Sequence, residues 1–210
     1  MSARPVAPAS RRGAGRRRHE PDRRQRILEV TLDVIAAHGV AGTTHRKVAA
    51  AADVPLGAMT YYFRGLADLL SSAFTVLAQR WGDAFESAMA AVPQGADPRE
   101  AVADAVLAGL ADDADTDPVT GSRRQAVLAY ELYALAARDP AVREVTQAWM
   151  ERTRAALRRH FAPEDARVLD ALVEGLTLHA VLSTEPLDPA RFRADVARLA
   201  PPPLARPVSP

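Results

Sequence analysis

Apolar residues recur at intervals of three and four along most of this chain, the spacing of helices that bury one face. No stretch alternates strictly, as a half-buried strand would. Pro21-Asp22 opens a first helix whose stripe is Ile27, Leu28, Thr31, Leu32, Val34 and Ile35, and His38-Gly39 closes it. Residues 45–52 form a short second helix behind Thr44, whose hydroxyl oxygen can accept from a backbone N–H one turn on. Asp53 breaks that run. Pro55 suits the first turn of a third helix over 56–63, and a long fourth helix covers 66–92. On the fourth, Phe74, Leu77, Trp81, Phe85 and Met89 share a face.

Asp97-Pro98, Asp139-Pro140 and Asp188-Pro189 each supply an acceptor and then a proline where a helix can begin. They predict helices running to residues 110, 161 and 199. Pro163 restarts the chain toward its most apolar helix, 168–182, and another helix spans 122–138. Residues 112–121 are acidic and turn-rich and read as a connection. The expected fold is all-α.

Residues 43–63 stand out because two short helices are joined by a tight turn. The second carries Thr60, Tyr61 and Tyr62 among the small residues Gly57 and Ala58. A helix with little bulk at its start can approach a DNA major groove, where hydroxyls reach phosphates or base edges. An ordinary helical hairpin inside a bundle is the alternative.

The order of landmarks adds to this. It runs Gly39, Thr43-Thr44, Val48-Ala49, Val54, Gly57, Tyr61-Tyr62-Phe63 and Leu69, and over residues 22–70 it resembles the TetR family of bacterial transcriptional regulators. The chain departs from that pattern at Asp53, where the family has glycine in a turn that can need left-handed backbone. It departs also at Leu66, where the family has lysine with a phosphate contact, leaving Arg64 nearby, and at Thr60, where a tyrosine is frequent. The resemblance implies a three-helix head that places residues 56–62, from Leu56 on, in a major groove. Thr43, Thr44 and Tyr62 would then meet phosphates, Arg46, Lys47 and Arg64 would add backbone attraction, and Gly57, Ala58, Thr60 and Tyr61 would reach bases or sugars.

Charge adds a second argument. The chain carries a net +1, but residues 1–64 hold +7 and the remainder −6, as expected if only one end meets a polyanion. Residues 1–21 read as a disordered basic arm, 22–65 as the helix-turn-helix domain, 66–200 as a helical ligand-binding and dimerisation domain, and 201–210 as a disordered tail. The arm either follows DNA or is a solvated tail. Cysteine is absent, which fits a reducing cytoplasm, and no apolar run reaches the roughly 20 residues of a membrane span.

No catalytic motif and no metal-ligand spacing among the five histidines is found, so neither enzyme chemistry nor a cofactor or metal is expected. The body instead collects Phe74, Leu77, Trp81, Phe85, Tyr130, Tyr133, Trp149 and Met150, with Glu131 and His179 as candidate polar anchors. Taken singly, each aromatic is more simply read as core. The resemblance implies a cavity for a small-molecule inducer among them. It also implies a homodimer through the helices at 140–161 and 163–182. There Val168, Leu169, Leu172, Val173, Leu176, Leu178 and Val181 offer more apolar area than one face needs, although the monomer's own bundle could use it.

The expectation is a ligand-responsive repressor of operator DNA, whose ligand tilts the helix starting at Leu66. The alternatives are a helical carrier or enzyme with an unused head, and an activator of the same family.

Overall fold

The computed structural model describes residues 20–110 and 118–204, so most of the predicted arm, the acidic stretch at 111–117 and the last six residues lie outside it. Among the described residues there are nine helices and no strand. They are α1 (Glu20–Gly42), α2 (His45–Ala51), α3 (Leu56–Tyr62), α4 (Leu66–Ala90), α5 (Pro98–Leu110), α6 (Pro118–Ala136), α7 (Pro140–Leu157), α8 (Pro163–Leu182) and α9 (Pro189–Leu199).

Prolines set the starts of the body helices. Asp139 and Asp188 accept from the N–H groups of Ala141 and Ala190, and Pro140 and Pro189 take the first turn, where their missing N–H is not needed. Asp97 does the same for Arg99 N–H at 2.9 Å. The predicted start of α6 at Ser122 is corrected: residues 118–121, read as connection, are helical from Pro118. Helix α7 ends at Leu157 rather than 161. Helix α1 does break at Gly39 (φ 69°, ψ 169°), as expected, but one further turn follows it to Gly42. The proline-rich tail is not loose at its start, because Leu204 N–H donates to the His160 carbonyl at 2.8 Å.

Two hydrophobic cores hold the chain. One joins Ile27, Leu28, Leu32 and Ile35 of α1 to Val48, Met59, Leu69, Phe74, Leu77, Leu128 and Leu132, so head and body share it. The other packs Met89, Val102, Leu157, Phe161, Leu169, Phe192 and Val196 at the far end. Burial of each such side chain stabilises by about 1.5–3 kcal/mol. The boundary drawn at residue 65 is therefore not a boundary in packing.

Candidate nucleic-acid interface and ligand cavity

The head is fixed by local bonds. Thr44 caps α2 by accepting from Lys47 N–H at 3.2 Å. The other end of α2 closes with Val54 N–H on the Ala49 carbonyl and Asp53 N–H on the Ala50 carbonyl, a Schellman motif. That motif needs left-handed backbone at residue 53, and Asp53 adopts it at φ 52°. Arg26 of α1 donates to the Ala52 carbonyl at 2.7 Å, and the Arg24 guanidinium lies 5.3 Å from the centre of the Phe63 ring.

Met59 and Phe63 turn inward and anchor α3, which leaves Leu56, Gly57, Thr60 and Tyr61 outward; Tyr61 is 70% exposed. Ala58 and Tyr62 are half-buried, the latter with its ring edge-on to Tyr61 at 4.9 Å. Thr44, Arg46 and Lys47 are exposed beside them. Arg64 is exposed and pairs only loosely with Asp68 at 3.7 Å. Thr43 differs from the sequence expectation: it is buried, and its hydroxyl donates to the Gly39 carbonyl at 2.8 Å, so its side chain holds the fold and is not on the surface.

In the body, five helices enclose a cavity of about 150 Å³. Helix α4 brings Trp81, Ala84 and Phe85; α5 Ala105, Val106, Gly109 and Leu110; α6 Gln125, Ala126, Ala129, Tyr130 and Tyr133; α7 Trp149, Thr153 and Leu157; α8 Asp170, Val173, Glu174, Thr177 and Leu178. The aromatics form a slot. Tyr133 and Trp149 are nearly parallel with centroids 6.1 Å apart, and Trp81 leans on Trp149 at 5.1 Å.

Two carboxylates face this apolar wall, and they are not equivalent. Asp170 is buried and paired with the Arg154 guanidinium at 2.8 Å; burial raises its pKa, and Arg154 partly offsets that. Glu174 stands at the mouth, exposed on one side and against the wall on the other. It accepts from the Tyr133 hydroxyl at 2.8 Å and has no cationic partner among the described residues. The protein packed around its carboxyl raises its pKa, the Tyr133 hydrogen bond works against this, and the Asp170 charge adds to the rise. Burial, with the Glu174 charge, pushes the Tyr133 hydroxyl upward. Gln125 Oε1 and the Tyr130 hydroxyl are buried at the same cavity without a hydrogen-bond partner among the described residues.

Of the residues expected to line a cavity, Trp81, Phe85, Tyr130, Tyr133 and Trp149 are on its wall. Phe74 and Leu77 are not: they are fully buried in the core shared with the head, one and two turns nearer the start of α4. Glu131 points to the other side of α6, where its carboxylate accepts from Val40 N–H at 2.9 Å. His179 and Met150 are also off the wall, His179 being exposed beside the α8–α9 connection. Sequence reasoning missed Asp170 and Glu174. The signal that singled out Glu131, an acidic residue inside an apolar helix, was present for both.

Helix α8 keeps a second feature on its outer side. Leu169 and Val173 are buried, whereas Val168, Leu178 and Leu182 are exposed and, with Ala171 and Gly175, alternate at intervals of three and four. Among the described residues nothing within 4 Å stands over Gly175.

Comparison with known proteins places this architecture. The family model of bacterial regulatory proteins of the tetR family matches residues 27–73, and that of the tetracyclin repressor-like C-terminal domain matches 97–202. The HTH-type transcriptional regulator BetI of Escherichia coli O157:H7 is 30% identical over 174 residues, covering 79% of this chain and 86% of its own. Among solved structures, SCO7518 of Streptomyces coelicolor A3(2) is 44% identical with a TM-score of 0.69, over 86% of this chain and 99% of that one. The multidrug binding protein EbrR complexed with ethidium is 36% identical with a TM-score of 0.68, over 86% and 99%. EbrR is known also in complexes with malachite green and proflavin.

Proposed function

The chain belongs to the TetR family of bacterial transcriptional regulators, and on that premise we propose that this ligand-responsive DNA-binding protein is a homodimeric repressor released from its operator by a compact, flat, cationic aromatic molecule. The observation that carries the ligand class is Glu174, an acid at an aromatic slot with a tyrosine hydroxyl but, among the described residues, no cation beside it. A carboxylate held against an apolar wall gains from a counter-charge, and a planar cation lying against the aromatic wall of the slot supplies both that and stacking on a ring face. The likeness to EbrR, whose complexes hold ethidium, malachite green and proflavin, supports the same reading.

On the DNA side, the outward residues of α3 (Leu56, Gly57, Thr60 and Tyr61) enter the major groove, with Ala58 and Tyr62 at the edge of the contact. Thr44, Arg46, Lys47 and Arg64 face the phosphates. Two heads act together because the α8 stripe of Val168, Ala171, Gly175, Leu178 and Leu182 packs against its copy, beside α7. The operator is then a near-palindrome with half-sites about 34–36 Å apart or a multiple of that. The protein is a regulator rather than an enzyme and works in the cytoplasm; among the described residues no helix is long and apolar enough to cross a membrane.

The test is footprinting by the purified protein on genomic fragments that it retains, with and without proflavin. The expected result is a protected palindrome whose protection is lost when the dye is added, with affinity falling steeply in salt. Failure to protect any fragment at low salt would remove the regulator reading. Protection unaffected by cationic dyes, but released by a neutral or anionic planar compound, would remove only the ligand class.

A further inference from the structure

Helix α6 has two working sides. At about 3.6 residues per turn, Ala126, Ala129, Tyr130 and Tyr133 fall on one side and line the cavity. Arg124, Leu128 and Glu131 fall on the opposite side, and that side faces α1. Three different contacts fasten it there. Arg124 Nη2 pairs with Asp33 Oδ1 at 2.6 Å; Leu128 and its neighbour Leu132 are fully buried in the core of α1; and Glu131 Oε2 accepts from Val40 N–H at 2.9 Å.

The third contact has an unusual acceptor. The non-helical Gly39 (φ 69°, ψ 169°) interrupts the ladder of α1, so Val40 N–H loses the carbonyl it would use in a continuous helix. A side chain from the body replaces that carbonyl. The approach is close enough that a Cβ on Gly39 would stand 2.7 Å from Glu131 Oε1. Immediately beyond, Thr43 N–H returns to the Val40 carbonyl, the Thr43 hydroxyl to the Gly39 carbonyl, and Thr44 caps α2. The turn that Glu131 holds is therefore the seat of the helix-turn-helix.

We infer that Glu131 is the positioning residue through which the cavity controls the head: a group pressing on the Tyr130–Tyr133 side of α6 shifts the carboxylate that caps Val40, and with it the seat of α2. This rests on the cavity being the ligand site proposed above. The path differs from a simple tilt of α4, since Phe74 and Leu77, the α4 residues between cavity and head, are locked in the shared core. Packed interfaces of this kind switch between discrete arrangements, so a small displacement at the wall can reach the seat of α2 undiminished.

The test is a double-mutant cycle in the full-length protein that needs no ligand. Ala129→Leu presses on the wall from α6 and stands in for an occupant. It is combined with Glu131→Ala and with Glu131→Gln, which keeps an oxygen acceptor for Val40 N–H. Operator affinity is expected to fall about ten-fold on filling in the wild-type background, and by about the same factor in the Glu131→Gln background. In the Glu131→Ala background filling should cost less than about two-fold. A purely structural role would lower melting temperature and operator affinity together and leave the effect of filling the same in all backgrounds. That result would overturn the inference, as would filling without effect in the wild type.

Hydrogen exchange at the Val40 amide is followed in the same variants without DNA. It should speed up in Glu131→Ala and respond to filling only where residue 131 offers an acceptor. Should Ala129→Leu fail to fold, proflavin takes its place as the occupant. If no variant, wild type included, binds any operator, the regulator reading fails by itself, and exchange at Val40 decides the coupling: an amide indifferent to filling overturns it.

Discussion

The head and the cavity treat their polar groups in opposite ways. In the head several polar groups beside α3 have partners inside the fold: Thr44 caps α2, Thr43 bonds Gly39, and the Asp53 N–H completes the closing turn, while Arg46 and Lys47 are exposed. What it presents outward is a finished surface. Among the described residues the cavity leaves Glu174 without a cation and Gln125 Oε1 and the Tyr130 hydroxyl without a hydrogen-bond partner. Buried polar groups are nearly always satisfied, and each exception costs about 1–3 kcal/mol. A rigid surface suits a partner of fixed shape such as duplex DNA, whereas unmet polar groups in an apolar slot suit a molecule that comes and goes.

The greatest loss should come from the core that the two regions share, and it tests whether that core belongs to neither region's function. Phe74→Ala should cost about 3–5 kcal/mol by denaturant unfolding. Its folded fraction should bind proflavin like the wild type, because Phe74 is off the cavity wall. Altered dye affinity in the folded fraction would return Phe74 to the site.

Gly39→Ala attacks the junction between the regions. A non-glycine residue at φ 69°, with its Cβ against Glu131 Oε1, should lose about 1–3 kcal/mol and weaken operator binding, read by thermal melts and by band shift. The double variant Gly39→Ala with Glu131→Ala should recover part of the stability by removing the clash.

Glu174→Gln tests the contrast most directly. Dye affinity should drop about ten-fold, as when one partner of a close charge pair is removed. The empty protein should melt slightly higher at neutral pH. The sign follows from the raised pKa: folding favours the protonated acid, so its contribution is full below the ordinary value of 4.5 and is lost as pH rises through the folded pKa. The two proteins should therefore converge in melting temperature as pH is lowered toward that range, and wild-type dye affinity should fall over the same interval. A melting difference independent of pH would mean that Glu174 is not the titrating group.

The slightest change is expected in the head. Asp53→Gly removes a side chain from left-handed backbone and should stabilise by less than about 1 kcal/mol, glycine's greater freedom in the unfolded chain offsetting part of the gain. Operator affinity should rise modestly, because a negative charge leaves the exposed end of α2. Lower stability in chemical denaturation would show that the Asp53 side chain does more than tolerate the turn.

The order of residues was enough to specify the helices and the head. Proline after aspartate marks helix starts because both effects, a side-chain acceptor and a fixed φ, are confined to adjacent residues. The α2–α3 unit was legible for the same reason, down to the left-handed backbone at Asp53, where the family's glycine was the clue. Periodicity also assigned the apolar face of α4. It could not say what lies opposite. Phe74, Leu77, Trp81 and Phe85 form one stripe, yet the first two meet α1 and the last two meet a void. Glu131 and Glu174 both sit in apolar helices, yet one caps a backbone amide in the head and the other faces the slot. Periodicity is a property of a single helix, whereas a cavity is set by the distances among five, and it took their packing to settle which acid bonds the head and which faces the slot.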